Sequence, residues 1–577
     1  MAKVLRTVMN LMAASSFFTL NALGDADYTK LFDLENSYEK EYQEFARIKY
    51  DLRYIEEHRI TNNTAKNHWL SQHHRYKKKL TKMYSTLHEY RQRLKSISSP
   101  MRGHSKTFNQ SFDVCPTYTG RTALEKQFLT SQFGKNSCVF QISRNQIQIL
   151  NDQRNAFGLK VKSLLGKDLS EKMYKTANPF LPIDFSKAPK LDEILISSLV
   201  FEKDFSGKVL SRIIEHHAKR GTKVKIIIAK ALLTDESEKM FSDLRKKYKS
   251  LKIKFYRYKG VGRHRSNTAL SRFHKVNHVK ILAVKGRKTD VVFMGGRNIH
   301  DGFLFPEPID HSKFPELTQR SQTEYSMWED MDLKLTSKKL NRSIRSQYMS
   351  FWNHDRKDMF FNISSIFVGL KKVKNLDPNK IYIRHFLSAP YADQVAFRKS
   401  DVLSKTGKYI SSLEKYTIQV IDSAKEEIKL ISPYFNLTNN IHGAVLRAVK
   451  RGVDVKVITR IDLEGDTVAA LLSEVNKGMI NRLYDRVDLY EYLTPRKILH
   501  SKILLVDKKF TIVGSVNYNK RSFIHDPENF VSIWSPKFNS EMSKIFEGYK
   551  KDSRKIRSKQ SSNRAYKLLL DSFETYF

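Results

Sequence analysis

Beyond about residue 185, short apolar runs alternate with amphipathic stretches, and this pattern occurs twice. The runs and the helical stretches between them lie, in order, at 194–201, 206–220 and 224–229 in the first copy and at 428–432, 441–451 and 453–458 in the second. Apolar runs of this length next to stretches of helical period predict buried strands joined by helices. This part of the chain is therefore predicted to be α/β.

The two copies align without a gap where each helix is expected to end. Residues 218–224 read AKRGTKV and residues 449–455 read VKRGVDV, so basic residues precede Gly221 or Gly452 in both. Glycine is favoured after a helix because it adopts positive φ without steric cost. Two such segments in register indicate an internal repeat.

Four segments are predicted along the chain. Residues 27–98 keep a helical period that is interrupted near 61–64, which predicts two antiparallel amphipathic helices. The pattern over 99–175 is mixed, and the joint between the repeats is placed near 375–380. The predicted organisation is a signal peptide (1–24), a mostly helical region (25–175) and two repeats (176–375 and 376–577).

Residues 1–24 have the organisation of a secretory signal. Lys3 and Arg6 precede a mostly apolar run to Leu20, and the small-residue site Ala22-Leu23-Gly24 follows. The run is shorter than the ~20 apolar residues that span a bilayer. We therefore expect a cleaved signal peptide and an exported protein, either periplasmic or secreted.

The chain contains two cysteines, Cys115 and Cys138. In an exported protein a lone pair of cysteines is more often a disulfide than two free thiols. Two thiols are too few for a structural zinc site, and no metal-ligand spacing flanks them. We expect a Cys115–Cys138 disulfide that has a stapling role.

The composition is that of a globular protein, with 40% hydrophobic and 28% charged residues, which argues against a mainly disordered or fibrous chain. The net charge of +43 predicts attraction to a polyanion. Anionic phospholipid at a membrane surface and nucleic acid both satisfy this condition. A lysine-rich source proteome is an equally good explanation of the charge, so charge alone does not identify the partner.

Each repeat carries the same chemical motif. The first contains His278 and Lys280, followed by Gly296 and Asn298, and the second contains His500 and Lys502, followed by Ser515 and Asn517. Side chains two positions apart on a strand share a face, so each histidine should point the same way as its lysine. A single His-x-Lys is usually a chance surface pair, but its recurrence with the same downstream element favours a site.

These residue types suit a phosphodiester. Lysine supplies a positive charge, and asparagine and serine supply donors for the nonbridging oxygens. Imidazole acts as base, acid or nucleophile near neutral pH. Two half-sites supply two imidazoles, so one can attack phosphorus while the other protonates the departing alcohol.

The sequence HSKILLVD followed by GSVN resembles the H-x-K-x4-D and G-S-x-N motifs of the phospholipase D superfamily. The repeat order is most similar to its bacterial cardiolipin synthase-like and phospholipase D-like branch. The similarity covers roughly residues 180–560. It implies two α/β domains, each a mixed sheet sandwiched by helices, which are related by a pseudo-twofold axis with one active site between them.

The resemblance also implies a mechanism without metal or cofactor. One histidine forms a phosphohistidine intermediate, and the other acts as acid and then as base. The family pattern makes His278 the nucleophile and His500 the acid, although the residues alone do not assign these roles. Asp330 and Glu528 occupy the positions of the carboxylates that orient the two imidazoles.

The first motif departs from the family pattern. Lys285 stands where the second motif has Asp507, a supporting residue in the family. Because Lys285 is five positions from Lys280, strand alternation should turn it away from the phosphate. The turn is three residues longer in the first repeat and brings in Asp290, which is a candidate for the missing carboxylate.

Three functions remain open. The leading hypothesis is an exported phosphodiesterase that hydrolyses or transfers phospholipid headgroups as a peripheral membrane enzyme. The second is a metal-independent nuclease, because the same chemistry cleaves DNA and the basic charge suits a nucleic-acid groove. The third is a binding protein with a weakened site.

Overall fold

The structure, a computed structural model, describes residues 67, 70–75, 78–79, 81–82, 85, 118–129, 137–256, 276–318, 327–353, 374–388, 411–463, 467–524 and 526–562. One compact unit comprises residues 1–113 and 259–266, and a second comprises residues 114–258 and 267–577. In the first unit the described positions between 67 and 85 are helical. The predicted signal peptide lies outside the described residues, as does most of the predicted helical pair.

The second unit is built on two large sheets. Its strands are β1 (Tyr118–Thr119), β2 (Phe140–Ile142), β3 (Ile147–Leu150), β4 (Leu191–Ser198), β5 (Lys223–Ala229), β6 (Leu251–Tyr256), β7 (Ile281–Gly286), β8 (Asp290–Gly295), β9 (Met327–Glu329), β10 (Asp332–Leu335), β11 (Lys374–Asn375), β12 (Ile381–Ser388), β13 (Glu427–Ile431), β14 (Asp454–Thr459), β15 (Asp488–Tyr492), β16 (Lys497–Leu499), β17 (Ile503–Val506), β18 (Phe510–Gly514), β19 (Glu528–Trp534) and β20 (Ser553–Lys555).

The helices of this unit connect the strands and cover the sheets. They are α1 (Ala123–Leu129), α2 (Gln153–Leu165), α3 (Glu171–Thr176), α4 (Phe205–Lys219), α5 (Asp235–Lys247), α6 (Lys338–Asn353), α7 (Ser412–Ser423), α8 (Asn439–Lys450), α9 (Thr467–Leu483), α10 (Lys520–Ile524) and α11 (Pro536–Lys551).

The two sheets have matching topologies. The first has the order β3-β10-β8-β7-β4-β5-β6, and the second has the order β2-β12-β19-β18-β17-β13-β14-β15-β20. In the first sheet β4 and β5, which α4 connects, pair in parallel, and in the second sheet β13 and β14, which α8 connects, do the same. The hairpins β7–β8 and β17–β18 are antiparallel, so both sheets are mixed. Two similar α/β halves confirm the predicted fold class.

The crossover helices begin and end as the sequence indicates. Asp204 accepts a hydrogen bond from Gly207 N at the start of α4, and Thr438 does the same for Ile441 N at the start of α8. Gly221 and Gly452 follow these helices with φ of 83° and 82°. The predicted positive φ is therefore confirmed at both glycines.

Three apolar cores hold the layers together. One core lies between the sheets and includes residues of both, together with one face of α6 and of α11. The other two lie on the outer faces, where α4 and α5 cover the first sheet and α7, α8 and α9 cover the second. Each sheet is thus sandwiched by helices, as predicted, because both of its faces are apolar.

The predicted helical region 25–175 needs a correction over its last part. Residues 137–175 belong to the same compact unit as the repeats, and they contribute strands as well as helices. β2 pairs with β12 in the second sheet, and β3 pairs with β10 in the first. These strands are only three and four residues long, which is too short for alternation to separate them from a loop.

Cys138 is disulfide-bonded. Cys115, the other cysteine of the chain, lies outside the described residues. Within the part of the chain that the structure describes, no helix has the length and apolarity needed to cross a bilayer.

Candidate functional site

The first half-site lies just before β7. His278 donates its backbone N–H to Pro527 O at 3.0 Å, and its Nδ1 lies 2.8 Å from Oε2 of Glu528. Lys280 donates its backbone N–H to Oδ1 of Asn529 at 2.8 Å. The first histidine and lysine are therefore held by consecutive residues at the start of β19, a strand of the other sheet.

In the second half-site, a histidine and a lysine of the second repeat are held by residues of the first. His500 donates its backbone N–H to Glu329 O at 2.8 Å, and its Nδ1 lies 2.5 Å from Oδ2 of Asp330. Lys502 Nζ lies 3.6 Å from the same carboxylate oxygen. The short parallel pair of β16 with β9 brings these two segments together.

Each imidazole is thus oriented by a carboxylate from the other repeat. The contacts His278–Glu528 and His500–Asp330 span 250 and 170 positions of sequence. Because Nδ1 is occupied in both rings, Nε2 is the nitrogen left for a substrate. The structure brings His278, Lys280, His500, Lys502, Asp330 and Glu528 into one reciprocal site, and neither repeat is complete without the other.

The two lysines are buried, with 3% and 2% of their surface exposed. Each ammonium donates to the carbonyl oxygen of its own histidine, Lys280 to His278 and Lys502 to His500. Burial lowers the pKa of Lys280 to about 7 and that of Lys502 to about 8. Each ammonium is therefore poorly solvated and gains from an anion entering the site.

Burial also favours the neutral form of both imidazoles. The pKa of His278 is lowered well below its usual value, first by burial and then by the charges of Lys280, Lys502 and His500. That of His500 is lowered by burial and by the same two ammonium groups. The charges that lower the pKa of His278 thus include those of Lys502 and His500 from the other half-site. Neutral imidazole keeps a lone pair for attack or proton acceptance.

The two carboxylates have different surroundings. Burial raises the pKa of Glu528 to about 8, while the charge of Lys280 and hydrogen bonds from Ser515 and Ser522 act in the opposite direction. Burial raises the pKa of Asp330, against the charges of Lys502 and Arg297. The Glu528 carboxylate accepts hydrogen bonds from two hydroxyl groups. The Asp330 carboxylate is stabilised by the charges of Lys502 and Arg297 and accepts the backbone N–H of Met331 at 2.7 Å.

Of the predicted supporting residues after each hairpin, Ser515 contacts the site directly. Ser515 donates its hydroxyl to Oε2 of Glu528. Asn298 places Oδ1 3.5 Å from the Ser198 hydroxyl. Asn517 is 5% exposed, and among the described residues its buried Oδ1 has no hydrogen-bond partner.

Asp507 is not part of this cluster, which corrects its assignment as a supporting site residue. It lies at the far end of β17 from Lys502, roughly 16 Å away at ~3.3 Å per residue. Its carboxylate accepts backbone N–H groups of Lys425, Glu426 and Glu427 at 2.8 to 3.2 Å. This aspartate therefore braces the start of β13.

The first repeat has Lys285 at the position equivalent to Asp507, with Asp290 as the candidate replacement carboxylate. Lys285 is exposed at the far end of β7, as strand alternation predicted, and pairs across the strands with Asp290 and Glu193. Asp290 lies 2.7 Å from Arg345 and 3.0 Å from Asn341, both on α6. Asp290 therefore anchors a helix and does not supply a carboxylate to the site.

Several site residues were missed from the sequence. Asn529 holds the backbone of Lys280, Ser522 donates to Oε1 of Glu528 at 2.5 Å, and aromatic rings surround His500. Ser522 and Trp328 lie in segments that resemble the superfamily, but nothing in their spacing indicated a contact with the site. Within the described residues, no group of three or more His, Cys, Asp or Glu side chains is arranged to hold a metal ion.

Comparison with known proteins agrees with this geometry. A family model described as "Cardiolipin synthase, PLD-like domain" matches residues 417–550, which include His500, Lys502 and Glu528. The chain belongs to the phospholipase D superfamily. This membership confirms the family that the two motifs indicated.

Curated relatives of this chain include the cardiolipin synthase of Halalkalibacterium halodurans, 24% identical over 291 residues, which are 50% of this chain and 49% of that protein. Cardiolipin synthase A of Pectobacterium carotovorum is 30% identical over 145 residues, 25% of this chain and 29% of the relative. The chain spans about half the length of the first of these relatives. Phosphatidylserine synthase of Haemophilus influenzae Rd KW20 has a similar fold, with a TM-score of 0.50 at 13% identity over 76% of this chain and 94% of that one.

Proposed function

We propose that this protein is a phospholipid headgroup transferase of the phospholipase D superfamily, working through a phosphohistidine. The observation that carries the proposal is the reciprocal site, in which two buried imidazoles and two buried ammonium groups share one cluster. The names of the curated relatives support phospholipid as the substrate class. Two lysines and two asparagine amides are suited to bind the nonbridging oxygens of a diester.

In the first step, Nε2 of His278 attacks the phosphorus of a bound phospholipid. The bond between phosphorus and the headgroup oxygen breaks, and His500 donates its Nε2 proton to that oxygen. The products are the free headgroup alcohol and a phosphatidyl group bonded to His278. Glu528 holds the Nδ1 proton of His278, so the attacking nitrogen keeps its lone pair.

In the second step, His500 acts as the base. It takes the proton of an acceptor hydroxyl while the acceptor oxygen attacks phosphorus and the bond to His278 breaks. An alcohol acceptor gives a new phospholipid, and water gives phosphatidic acid. His500 is neutral between the two steps and protonated before the first and after the second. Asp330 stabilises that protonated form against the effect of burial, because its carboxylate lies 2.5 Å from Nδ1.

The net charge of +43 supports association with an anionic membrane surface. We propose a peripheral enzyme that is exported after removal of residues 1–24. Export and peripheral association are both tested by fractionating cells that express the chain. High salt should release the protein from membranes, and the released protein should begin near residue 25. Recovery in the cytosol with residues 1–24 attached would contradict both.

The activity test incubates the purified protein with phosphatidylglycerol vesicles and, separately, with plasmid DNA, both in EDTA. We expect cardiolipin with released glycerol, or phosphatidic acid, from the vesicles. Nicked plasmid without lipid products would support the nuclease, and no product from either substrate would support a binding protein. His500→Asn should abolish the lipid products, while the matched variant His74→Asn, at an exposed position, should retain them.

Role assignment needs a second measurement. Brief reaction with labelled phosphatidylglycerol followed by denaturation should leave an acid-labile label on the peptide that contains His278. Label on the His500 peptide would reverse the two roles and leave the overall reaction unchanged.

A further inference from the structure

The two half-sites occupy equivalent positions but are chemically different. Counting from Asn298 and Asn517, Phe303 is the counterpart of Ser522. Val200 is the counterpart of Tyr434, because Ser198 and Ser432 donate to their carbonyl oxygens in the same way, at 2.5 and 2.8 Å. Trp328 and Asp526 each precede the orienting carboxylate by two positions.

The half-site of His278 has polar side chains at two of these positions, Ser522 and Asp526, and Val200 at the third. Ser522 donates its hydroxyl to Glu528, the partner of His278. Asp526 accepts the backbone N–H of Val276 at 3.0 Å and pairs with Arg521 at 3.2 Å. These groups provide donors and acceptors beside the first imidazole.

The half-site of His500 has aromatic rings instead. The ring centroids of Trp328, Phe303 and Tyr434 lie 4.8, 5.4 and 6.5 Å from that of His500, with interplanar angles of 80°, 63° and 89°. Phe303 and Trp328 also contact each other at 5.7 Å. We name these three side chains the aromatic collar.

Phe303 is held firmly in the collar. It is 4% exposed and lies in a short helical turn, Asp301–Phe303. Asp301 accepts the backbone N–H groups of Phe205 and Ser206 at the start of α4, at 3.1 and 2.8 Å, and lies 3.1 Å from Nε2 of His311. The turn that carries Phe303 is thus fixed by buried contacts.

We propose that the aromatic collar determines whether the phosphatidyl group is transferred to an alcohol or hydrolysed, an inference that rests on the proposed function. The second nucleophile must bind beside His500, which removes its proton. A water molecule needs two to four hydrogen-bond partners to be well held, and ring faces provide few. The C–H groups of a polyol or lipid headgroup pack on ring faces while one hydroxyl reaches Nε2. The collar therefore favours an alcohol over water.

The test measures the ratio of cardiolipin to phosphatidic acid formed from phosphatidylglycerol vesicles. Phe303→Ser gives the residue found at the equivalent position of the other half-site, and we expect the ratio to fall at least fivefold. Phe303→Leu keeps an apolar side chain and should retain most of the ratio. Phe314→Ser is the matched control, because Phe314 lies in the same connection but contacts Phe180 instead of His500.

An unchanged ratio in Phe303→Ser, or an equal fall in Phe303→Leu, would overturn the proposal. Should Phe303→Ser be inactive, Tyr434→Ser tests the same surface from another element and should lower the ratio in the same direction. Inactivity of both would also overturn it, because the rings would then be needed for the reaction itself. A wild-type protein that makes only phosphatidic acid refutes the collar alone, whereas one that makes no lipid product refutes the proposed function.

Discussion

Gly296 lies against the carboxylate that orients His500, so one added methyl group tests the reciprocal site. A Cβ atom at this position would lie 2.5 Å from Cγ of Asp330 and still closer to both carboxylate oxygens. Nonbonded carbon atoms normally stay about 3.5 to 4.0 Å apart. Gly296→Ala therefore forces the Asp330 carboxylate to move by roughly 1 Å or more.

This displacement has a predictable catalytic cost. The His500–Asp330 distance of 2.5 Å would lengthen beyond the ~3.2 Å limit of a good hydrogen bond. A misplacement of ~1 Å in a catalytic group costs about 100-fold in rate, or about 2.7 kcal/mol at 1.36 kcal/mol for each tenfold. We expect kcat for headgroup release to fall by about 100-fold in Gly296→Ala.

Two matched glycine variants separate this effect from loss of fold. A Cβ at Gly548, within α11, meets nothing within 4 Å, so Gly548→Ala should keep full activity and gain about 0.5 to 1 kcal/mol of stability. A Cβ at Gly286 would lie 2.6 Å from Lys190 O, far from the site along β7, so Gly286→Ala should lower Tm but not kcat of the folded protein. Activity of Gly296→Ala within threefold of wild type would refute the role of the Asp330 contact.

Replacing either imidazole should stop turnover without unfolding the chain. His278→Asn and His500→Asn should each lower kcat at least 100-fold with an unchanged circular dichroism spectrum. Full turnover by either variant would contradict the two-histidine site. Lys285→Asp should leave activity within about twofold because this lysine is exposed away from the site, whereas a collapse would show that it has a positive role. The ammonium forms of Lys280 and Lys502 exist below their pKa values of about 7 and about 8 and are lost above them. We therefore expect kcat/KM to fall as pH rises through 7 to 8 and the fall to move to higher pH in Lys280→Arg; a profile that stays flat to pH 9 would contradict this.

Much of the fold was accessible from local pattern. The strands and crossover helices of both repeats have clear apolar periods, and Gly221 and Gly452 mark the ends of two helices. β2 and β3 escaped prediction because three or four residues carry too little periodicity. Their assignment to two different sheets depends on long-range pairing with β12 and β10.

The sequence by itself determined which residues could do the chemistry, because His-x-Lys places two side chains on one face wherever the strand lies, and the motif occurs twice. Only the tertiary structure decided that each imidazole takes its carboxylate from the opposite repeat and that Asp507 braces a strand. It also decided that, among the residues that the structure describes, aromatic rings contact the imidazole of His500 and not that of His278. Local spacing determines the direction of a side chain relative to its own strand. Which group it meets depends on how two sheets dock, and that is set by the whole apolar core between them.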